Sequence, residues 1–342
     1  MPLKVGVIGA GGFGTIHLQG YAKNPNCEVV AIASRTKSHA LKAAQEFSVE
    51  NIYFGEDNWK KMIVSEDLDA ISICTPNYLH APMALEALNN GIHVLCEKPI
   101  CINQKELEEL TQANKKSSLI FMTSFQKRFN PIIPLLKSIL DNEVLGRLTL
   151  MKYYFSHYGP YISWKALSEE RWFFDSSMAG GGVLLDLGVH CIDIMRYLIG
   201  EYKQINGINS NTSCIEMKDE DNCNVLFRFQ NDTLGMISVS WCNFPSEVIE
   251  LYGSNGNLYI DLRSKRPVSF QPKNLKKNRL IKKAFSMRNY SNNYQDKVIN
   301  QFINAIITNK QTHPTFEDGR KAVEFVFESY AILQKSEFKT KM

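Results

Sequence analysis

The chain lacks the features that mark membrane, secreted and disulfide-stabilised proteins. None of its apolar runs approaches the roughly 20 residues that a membrane-spanning helix needs. The first four residues lead straight into a strand-like segment rather than into a signal peptide. The eight cysteines are scattered and form no C-x-x-C pair, which is typical of reduced thiols in a cytoplasmic protein. We therefore expect a cytoplasmic protein with no membrane partner, no metal site and no disulfide framework.

Strong charge of either sign is also missing. The net charge is +4, from 39 Lys and Arg against 35 Asp and Glu, so no general nucleic-acid or membrane surface is implied. With 342 residues, of which 44% are hydrophobic and 22% charged, the chain has an ordinary globular composition and the length of about two domains. We expect no nucleic-acid partner.

A glycine-rich turn follows the first strand-like segment. The segment 4–8 leads into G-A-G-G-F-G at 9–14 and then into a helix-like run at 15–23. The first glycine permits a tight turn, the second lets a pyrophosphate approach the backbone, and the third lets the helix pack on the strand. The helix N-terminus offers N–H groups to phosphates. This pattern predicts a dinucleotide site that includes Gly9, Gly11, Gly12, Phe13 and Gly14.

The end of the second strand bears on which dinucleotide binds. The strand at 27–33 ends in Ser34, Arg35 and Thr36, where an NAD-binding unit usually has Asp or Glu for the ribose hydroxyl. A hydroxyl beside an arginine suits a 2′-phosphate, since arginine pairs with phosphate through a planar fork. The pattern favours NADP over NAD. The alternative is that Ser34 and Arg35 only begin the next helix.

Strands and helices alternate through the first 122 residues. Strands are predicted at 4–8, 27–33, 51–54, 69–74, 92–96 and 119–122, and helices at 15–23, 36–47, 59–64, 80–90 and 103–117. Short strands separated by single helices indicate a parallel, doubly wound sheet of the Rossmann type. The fold class is therefore α/β.

The fifth predicted strand ends in residues that do not belong in a sheet. Glu97 and Lys98 are charged, and Pro99 cannot donate to a strand ladder. A lysine at the carboxyl end of a parallel strand lies in the crevice where such sheets bind ligands. A cis bond before Pro99 would fix the direction of Lys98. The alternative is a surface loop with a solvated lysine.

A second polar cluster lies in an apolar helix predicted at 183–199, after three glycines at 180–182. Asp186 and His190 are four residues apart and share one helix face, and Asp193 lies one turn further on. A carboxylate beside an imidazole orients it and favours its charged form, so the pair suits acid–base chemistry. The alternative is an ordinary helix with a satisfied histidine.

Several motifs together resemble the Gfo/Idh/MocA family of sugar and polyol oxidoreductases. They are T-P-N-x-x-H at 75–80 and E-K-P at 97–99, on a G-x-G-x-x-G domain. The segment Q-K-R-F-N-P at 126–131 resembles the family's R-F-x-P segment, and 180–193 resembles its G-G-G-x-x-x-D-x-G-x-H-x-x-D block. Recognisable pieces run from residue 3 to about residue 198, with weaker likeness to about 330.

The resemblance implies an NAD(P)-dependent oxidoreductase that transfers a hydride between a nicotinamide and a carbinol or carbonyl carbon of a sugar, polyol or sugar derivative. It implies His190 as general base, Asp186 as the group that orients it and binds substrate, and Lys98 as the group that steadies charge on the reacting oxygen. Family members differ over which residue is the base.

Further site residues follow from the resemblance. It places Thr75, Asn77, His80 and Glu97 around the cofactor and Arg128 near its nicotinamide end, although helix caps and turns explain the same residues equally well. Trp172 would cover the substrate, because sugars stack on aromatic faces. The alternative for Trp172 is a buried aromatic side chain.

For residues 123–342, the resemblance implies a substrate-binding and oligomerisation domain beside a Rossmann domain at 1–122. Strands are predicted at 148–158, 206–215, 223–230, 233–242, 248–252 and 258–262, with hairpin turns at 231–232 and 255–256 and helices at 294–308 and 318–334. We expect a large, mostly antiparallel open sheet, whose free face makes a homodimer or homotetramer.

Two questions stay open at this point. Residues 263–288 contain ten Lys or Arg and no Asp or Glu, which indicates either a solvated loop or a contact with a substrate phosphate or diphosphate. The resemblance also leaves two other activities open: a redox-assisted glycoside hydrolase or lyase that keeps its cofactor, and a non-catalytic sensor, for which loss of Lys98 or His190 would have been the mark.

Overall fold

The computed structural model describes residues 1–162, 172–210, 218–271, 278–288 and 294–337. The chain forms two compact units. The first is Met1–Gln126 with Asn293–Lys321, and the second is Lys127–Asn292 with Ala322–Met342. Whether domains that fold independently divide between residues 122 and 123 stays a prediction.

The first unit is built on a six-stranded sheet with the order β3-β2-β1-β4-β5-β6, in which every pair is parallel. The strands are β1 Leu3–Ile8, β2 Cys27–Ser34, β3 Asn51–Phe54, β4 Ala70–Ile73, β5 His93–Cys96 and β6 Phe121–Thr123. Every residue of β4 is buried, as expected of a central strand covered on both faces. The order confirms the predicted doubly wound sheet.

Helices connect these strands within the first unit. They are α1 Gly12–Ala22, α2 Lys37–Phe47, α3 Asn58–Ser65, α4 His80–Asn89 and α5 Gln104–Lys116. The polar helix α5 begins where Asn103 accepts a hydrogen bond from the Glu106 N–H at 3.0 Å, which satisfies a free donor of the first turn. The distant helix Gln295–Thr308 also packs in this unit, with Ile299 against Gly20 of α1.

The second unit is built on a seven-stranded sheet with the order β13-β12-β11-β7-β10-β9-β8. The strands are β7 Leu148–Ser156, β8 Tyr202–Ser210, β9 Asn222–Phe229, β10 Leu234–Ser240, β11 Ser246–Gly253, β12 Gly256–Asp261 and β13 Val268–Gln271. Among the strand pairs of the described residues in this sheet, only β7–β10 is parallel, which confirms the mostly antiparallel sheet. The strand predicted at 206–215 corresponds to β8, which begins earlier, at Tyr202. Residues 211–217 lie outside the described residues.

One face of this sheet is covered by helices. Phe325, in the helix Phe316–Glu337, makes edge contacts with the rings of Tyr202 and Phe227. Helix α6, Ile132–Asp141, packs against the helix Val189–Ile199 and was not predicted. On the outward positions of β8, β9 and β10, three apolar side chains are 77%, 54% and 46% exposed. They are Ile208, Leu226 and Leu234.

The helix predicted at 183–199 is continuous but changes its winding. Leu184–Gly188 is a π-helix, and Val189–Ile199 is an α-helix. A π-turn inserts an extra residue into the helical ladder, and such turns are frequent at functional sites. The stretch Ser176–Ile199 is long and apolar enough to cross a membrane, but 89% of its most apolar 18-residue segment is buried inside the protein. The core helix of a folded domain has the same length and hydropathy.

The basic stretch at 263–288 is not one continuous loop, which corrects the solvated-loop interpretation for two of its parts. It contains β13 and the helix Arg279–Ser286. That helix is amphipathic, because Ile281 is buried while Lys282 and Lys283 are exposed, and this 3.6-residue period decides the local structure. Residues 272–277 lie outside the described residues.

Candidate active site

The glycine turn of the first unit has the geometry that the sequence predicted. Gly9 has a φ of +96°, and a Cβ there would lie 2.5 Å from the carbonyl oxygen of Cys74. A Cβ on Gly14 would overlap the carbonyl oxygen of Gly9. A Cβ on Gly11 or Gly12, in contrast, would meet nothing within 4 Å. The outer two glycines therefore serve the fold, and the middle two leave open space above the backbone.

Helix α1 begins in this open space. Its N-cap is Gly11, and its first turn contains no acidic residue. The first N–H groups of a helix have no partner within it and carry partial positive charge. Phe13 in this first turn is 42% exposed. The turn therefore fits a pyrophosphate, because it combines free donors, positive potential and room for close approach.

The end of β2 presents basic side chains. Ser34 is the last residue of the strand and half-buried, and Arg35 follows it in an exposed position. The next helix adds Lys37, whose Nζ lies 4.8 Å from the centre of the Phe54 ring. Lys37 was not predicted as a site residue, although it lies only two residues after Arg35 in the sequence. Cations of this kind form charge-assisted hydrogen bonds with phosphate oxygens.

His80 joins the loops after β4 and β5. Its Nδ1 lies 2.6 Å from the Pro99 carbonyl oxygen, and its Nε2 lies 2.8 Å from the Thr75 carbonyl oxygen. The Lys98–Pro99 bond is cis, as the sequence allowed. Lys98 itself is half-buried, and Asn77 is 8% exposed. The T-P-N-x-x-H and E-K-P motifs thus form one structural element at the carboxyl edge of the sheet.

The side chain of Glu97 faces helix α1. Its Oε1 lies 3.0 Å from Nε2 of His17, and the residue is 6% exposed. The hydroxyl of Thr75 donates to the Met83 sulfur at 3.5 Å. His17 lies three residues after Gly14, about one helical turn beyond the glycine motif. No pattern in the sequence marked it as a site residue.

In the second unit, Asp186 and His190 lie on the π-to-α helix and are each 6% exposed. The indole N–H of Trp241 donates to Asp186 Oδ2 at 3.1 Å, and His157 Nε2 lies 3.9 Å from the same oxygen. The N–H of Gly159 donates to His157 Nδ1 at 2.8 Å, so His157 carries its proton on Nε2, the nitrogen that faces Asp186. The carboxylate is thus bracketed by an indole and an imidazole.

Sheet topology explains why Trp241 and His157 meet. Strands β7 and β10 are parallel neighbours in which Ser156 pairs with Ser240. His157 and Trp241 are the next residues, and the His157 N–H donates to the Ser240 carbonyl oxygen at 3.1 Å. Sequence reasoning missed both side chains, since nothing local announces this pairing.

Arg128 is held inside the second unit by Asp193. Its Nε donates to Oδ2 at 2.7 Å and its terminal nitrogen to Oδ1 at 2.5 Å, and both side chains are at most 7% exposed. The guanidinium also lies 5.3 Å from the centre of the Tyr197 ring. The neighbouring Lys127 pairs with Glu247 at 2.8 Å. Arg128 is therefore fixed by a bidentate pair.

Trp172 is 8% exposed and stacks on Phe173 with ring centres 3.6 Å apart. The residues before it, 163–171, lie outside the described part of the chain. Contact between Trp172 and a substrate stays a prediction.

Two family models match the chain. Residues 3–125 match an oxidoreductase family with an NAD-binding Rossmann fold, GFO/IDH/MocA, and residues 134–259 match the C-terminal domain of the same family. The two matches cover the glycine turn, the Lys98 loop, and the Asp186 and His190 helix.

Across the described residues, no group of three His, Cys, Asp or Glu side chains is arranged to hold a metal ion.

Several individual relatives are sugar or polyol dehydrogenases by name. Levoglucosan dehydrogenase of Pseudarthrobacter phenanthrenivorans is 33% identical over 219 residues, which are 61% of this chain and about half (54%) of that protein. Myo-inositol 2-dehydrogenase of Thermotoga maritima is 23% identical over 94% of this chain and 93% of that protein. The structure of levoglucosan dehydrogenase with NADH and levoglucosan has a TM-score of 0.84 at 24% identity and covers 98% of both chains, which shows a common fold.

Proposed function

This chain belongs to the Gfo/Idh/MocA family of oxidoreductases, and we propose on that premise that it oxidises a carbinol of a neutral sugar or polyol. One observation carries the proposal. The open glycine turn and Lys98 lie at the carboxyl edge of one parallel sheet, the edge at which such sheets bind their ligands, and the turn would hold the pyrophosphate of a dinucleotide. The names of two relatives, levoglucosan dehydrogenase and myo-inositol 2-dehydrogenase, support this substrate class.

Bound NAD(P) supplies the hydride acceptor in this reaction. We assign to His190 the removal of the hydroxyl proton and to Lys98 the stabilisation of the negative charge that grows on the same oxygen. Asp186 binds a neighbouring hydroxyl. Its direction is set by the Trp241 N–H at 3.1 Å, so the carboxylate is oriented before substrate arrives.

For the cofactor we propose NADP in preference to NAD. The support is the exposed Arg35 beside Ser34 at the end of β2, with Lys37 on the next helix. A 2′-phosphate gains charge-assisted hydrogen bonds there. NAD is the alternative that the experiment must address, since the solved relative carries NADH.

The test is cofactor absorbance on the purified protein. The protein is incubated with NAD⁺ or NADP⁺ and with three substrate pools: free sugars and polyols, sugar phosphates, and nucleotide sugars. We expect reduction of NADP⁺ with the first pool. Reduction only with a phosphorylated pool would contradict the proposal of a neutral substrate. It would also favour a contact between the basic stretch at 263–288 and the substrate phosphate. Silence in every pool, with cofactor retained through purification, would favour the redox-assisted hydrolase or lyase.

We also propose a cytoplasmic homodimer or homotetramer that assembles through the open face of the seven-stranded sheet. The support is the row of exposed apolar side chains Ile208, Leu226 and Leu234, because exposed apolar patches mark association surfaces. Light scattering on wild type and on Leu226→Lys tests this. A smaller particle is expected for the variant, and an unchanged mass would contradict the proposed face.

A further inference from the structure

A chain of buried polar side chains lies next to the Lys98 loop in the first unit. The Tyr21 hydroxyl lies 2.7 Å from Ser72 Oγ, and Ser72 Oγ lies 3.0 Å from His17 Nδ1. His17 Nε2 lies 3.0 Å from Glu97 Oε1. None of the four residues is more than 6% exposed. The proposed chemistry does not use these four hydrogen-bonded side chains. Burying polar groups costs free energy unless each group finds a hydrogen-bond partner, so the cluster needs an explanation of its own.

Two further side chains complete the network. The amide nitrogen of Gln295 lies 2.7 Å from His17 Nε2 and 2.9 Å from Ser124 Oγ. Ser124 also hydrogen-bonds Glu97. Gln295 begins the helix Gln295–Thr308 and is 1% exposed, as is Ser124. The network therefore connects Glu97 to α1, to the end of β6 and to a helix 278 residues from His17 in the chain.

Glu97 is a carboxylate in this network. Burial by itself raises its pKa, but the hydrogen bonds from His17 and Ser124, together with the charge of Lys98, lower the pKa overall. The charge of Glu97 acts on two thiols and an imidazole among the described residues, those of Cys74, Cys96 and His80. Burial raises the pKa of the two thiols and lowers the pKa of the imidazole.

The anchored side chain of Glu97 restricts the backbone from which Lys98 departs. The Glu97 N–H donates to the Ile73 carbonyl oxygen at 3.0 Å, which continues the β4–β5 ladder to this residue. Lys98 follows in a bend that leads into the cis bond to Pro99, so Glu97 is held by both its backbone and its side chain immediately before Lys98. Helix α1 begins with the glycine turn, so it carries both the dinucleotide cradle and the anchor of Glu97.

We propose that His17 is a positioning residue for Lys98, which it directs by anchoring the Glu97 carboxylate from helix α1. Glu97 only accepts, so His17 carries a proton on Nε2 and donates it to the carboxylate, while Ser72 serves Nδ1. The Gln295 amide group, 2.7 Å from Nε2, then turns its oxygen rather than its nitrogen towards that N–H. The inference rests on the proposed function in one respect, namely that Lys98 contacts the reacting oxygen.

The first test separates turnover from cofactor binding. His17→Leu removes the donor, and we expect kcat to fall roughly 10- to 100-fold, as misplacement of a catalytic group does. The cofactor Kd should stay within about twofold, because the glycine turn is untouched. His17→Gln keeps an N–H for Glu97 and should recover most of the lost kcat. The double variant His17→Leu/Glu97→Gln should lose no more than the more damaged single variant, since both act as one unit.

The second test does not depend on activity. Acylation of lysine amines in the substrate-free protein is followed by mass spectrometry, with the exposed Lys105 of α5 as internal standard. The ratio of Lys98 to Lys105 labelling should change severalfold in His17→Leu and stay within about twofold of wild type in His17→Gln. If wild type turns over no substrate but this ratio changes as expected, the proposed function fails and the anchoring stands.

Several results would overturn the inference. One is an unchanged kcat and labelling ratio in His17→Leu. Another is a higher cofactor Kd with kcat preserved, which would assign His17 to the dinucleotide turn. Equal losses in His17→Leu and His17→Gln would point to packing alone. If His17→Leu does not fold, Glu97→Gln keeps the side-chain shape and carries the test, and an unchanged kcat there overturns the proposal.

Discussion

The Nδ1 atom of His80 lies 2.6 Å from the carbonyl oxygen of Pro99. Its Nε2 lies 2.8 Å from the Thr75 carbonyl oxygen. Carbonyl oxygens only accept, so a neutral imidazole donates to one of them and a charged imidazolium to both. One side chain therefore couples the loop that carries Lys98 to the loop that follows β4. Because this side chain titrates, the stability of the protein should depend on pH through His80.

We expect the free energy of unfolding to fall as the pH drops below 6.5. Burial lowers the pKa of His80 from its usual 6.5, despite the two carbonyl contacts. The unfolded chain then binds a proton that the folded chain resists, so this stabilisation is complete above pH 6.5 and is lost as the pH falls through the lowered value. Denaturant unfolding at a series of pH values measures the slope.

His80→Gln should remove this part of the pH dependence, because an amide does not titrate in this range. His39→Gln, at an exposed position of α2, is the matched control. Equal slopes in wild type and His80→Gln would contradict the prediction.

Lys98→Met should lower kcat by roughly 10²- to 10³-fold, the usual loss when a donor to a developing oxyanion is removed. Methionine keeps most of the length of the side chain without its charge, so cofactor binding should persist. Stopped-flow absorbance measures kcat, and nicotinamide fluorescence measures the cofactor Kd. Lys105→Met on α5 is the control. Unchanged turnover in Lys98→Met would remove Lys98 from the mechanism.

Arg35→Ala should weaken NADPH binding about 10-fold or more, since a charge-assisted contact with phosphate contributes about 1.5–3 kcal/mol. Binding of NADH should change little, because NADH has no 2′-phosphate. Fluorescence titration with both nucleotides gives the two affinities. Lys42→Ala, exposed further along α2, is the control. A similar loss for both nucleotides would rule out phosphate recognition by Arg35.

Asp193→Asn should destabilise the second unit by about 3–5 kcal/mol, the cost of leaving a buried charge without its partner. The Arg128 guanidinium is the charge left behind, since its Nε donates to Asp193 at 2.7 Å. Denaturant unfolding measures the change. Asp232→Asn removes one side of the exposed pair with Lys203 and should change stability little. A stable Asp193→Asn protein that loses only cofactor affinity would instead place Arg128 at the cofactor.

The motifs that carry chemistry were readable because each depends on local chain geometry. The turn at Gly9 needs a left-handed residue, and the spacing of strands and helices leaves few sheet orders available. Cofactor preference and the roles of the predicted site residues stay predictions. The helix Arg279–Ser286 was not predicted, because lysines and arginines dominate the composition of this stretch, while the buried apolar positions between them set its structure.

Local sequence determined the two folds, the glycine turn and the positions of Lys98, Asp186 and His190 along the chain. Only tertiary structure decided what surrounds them. Trp241 reaches Asp186 because β7 and β10 are parallel neighbours. Glu97 faces His17 because α1 packs on β1, β2 and β4, and Glu97 follows β5, the neighbour of β4. Contacts between segments tens to hundreds of residues apart depend on strand pairing and helix packing, and these leave no local pattern in the sequence.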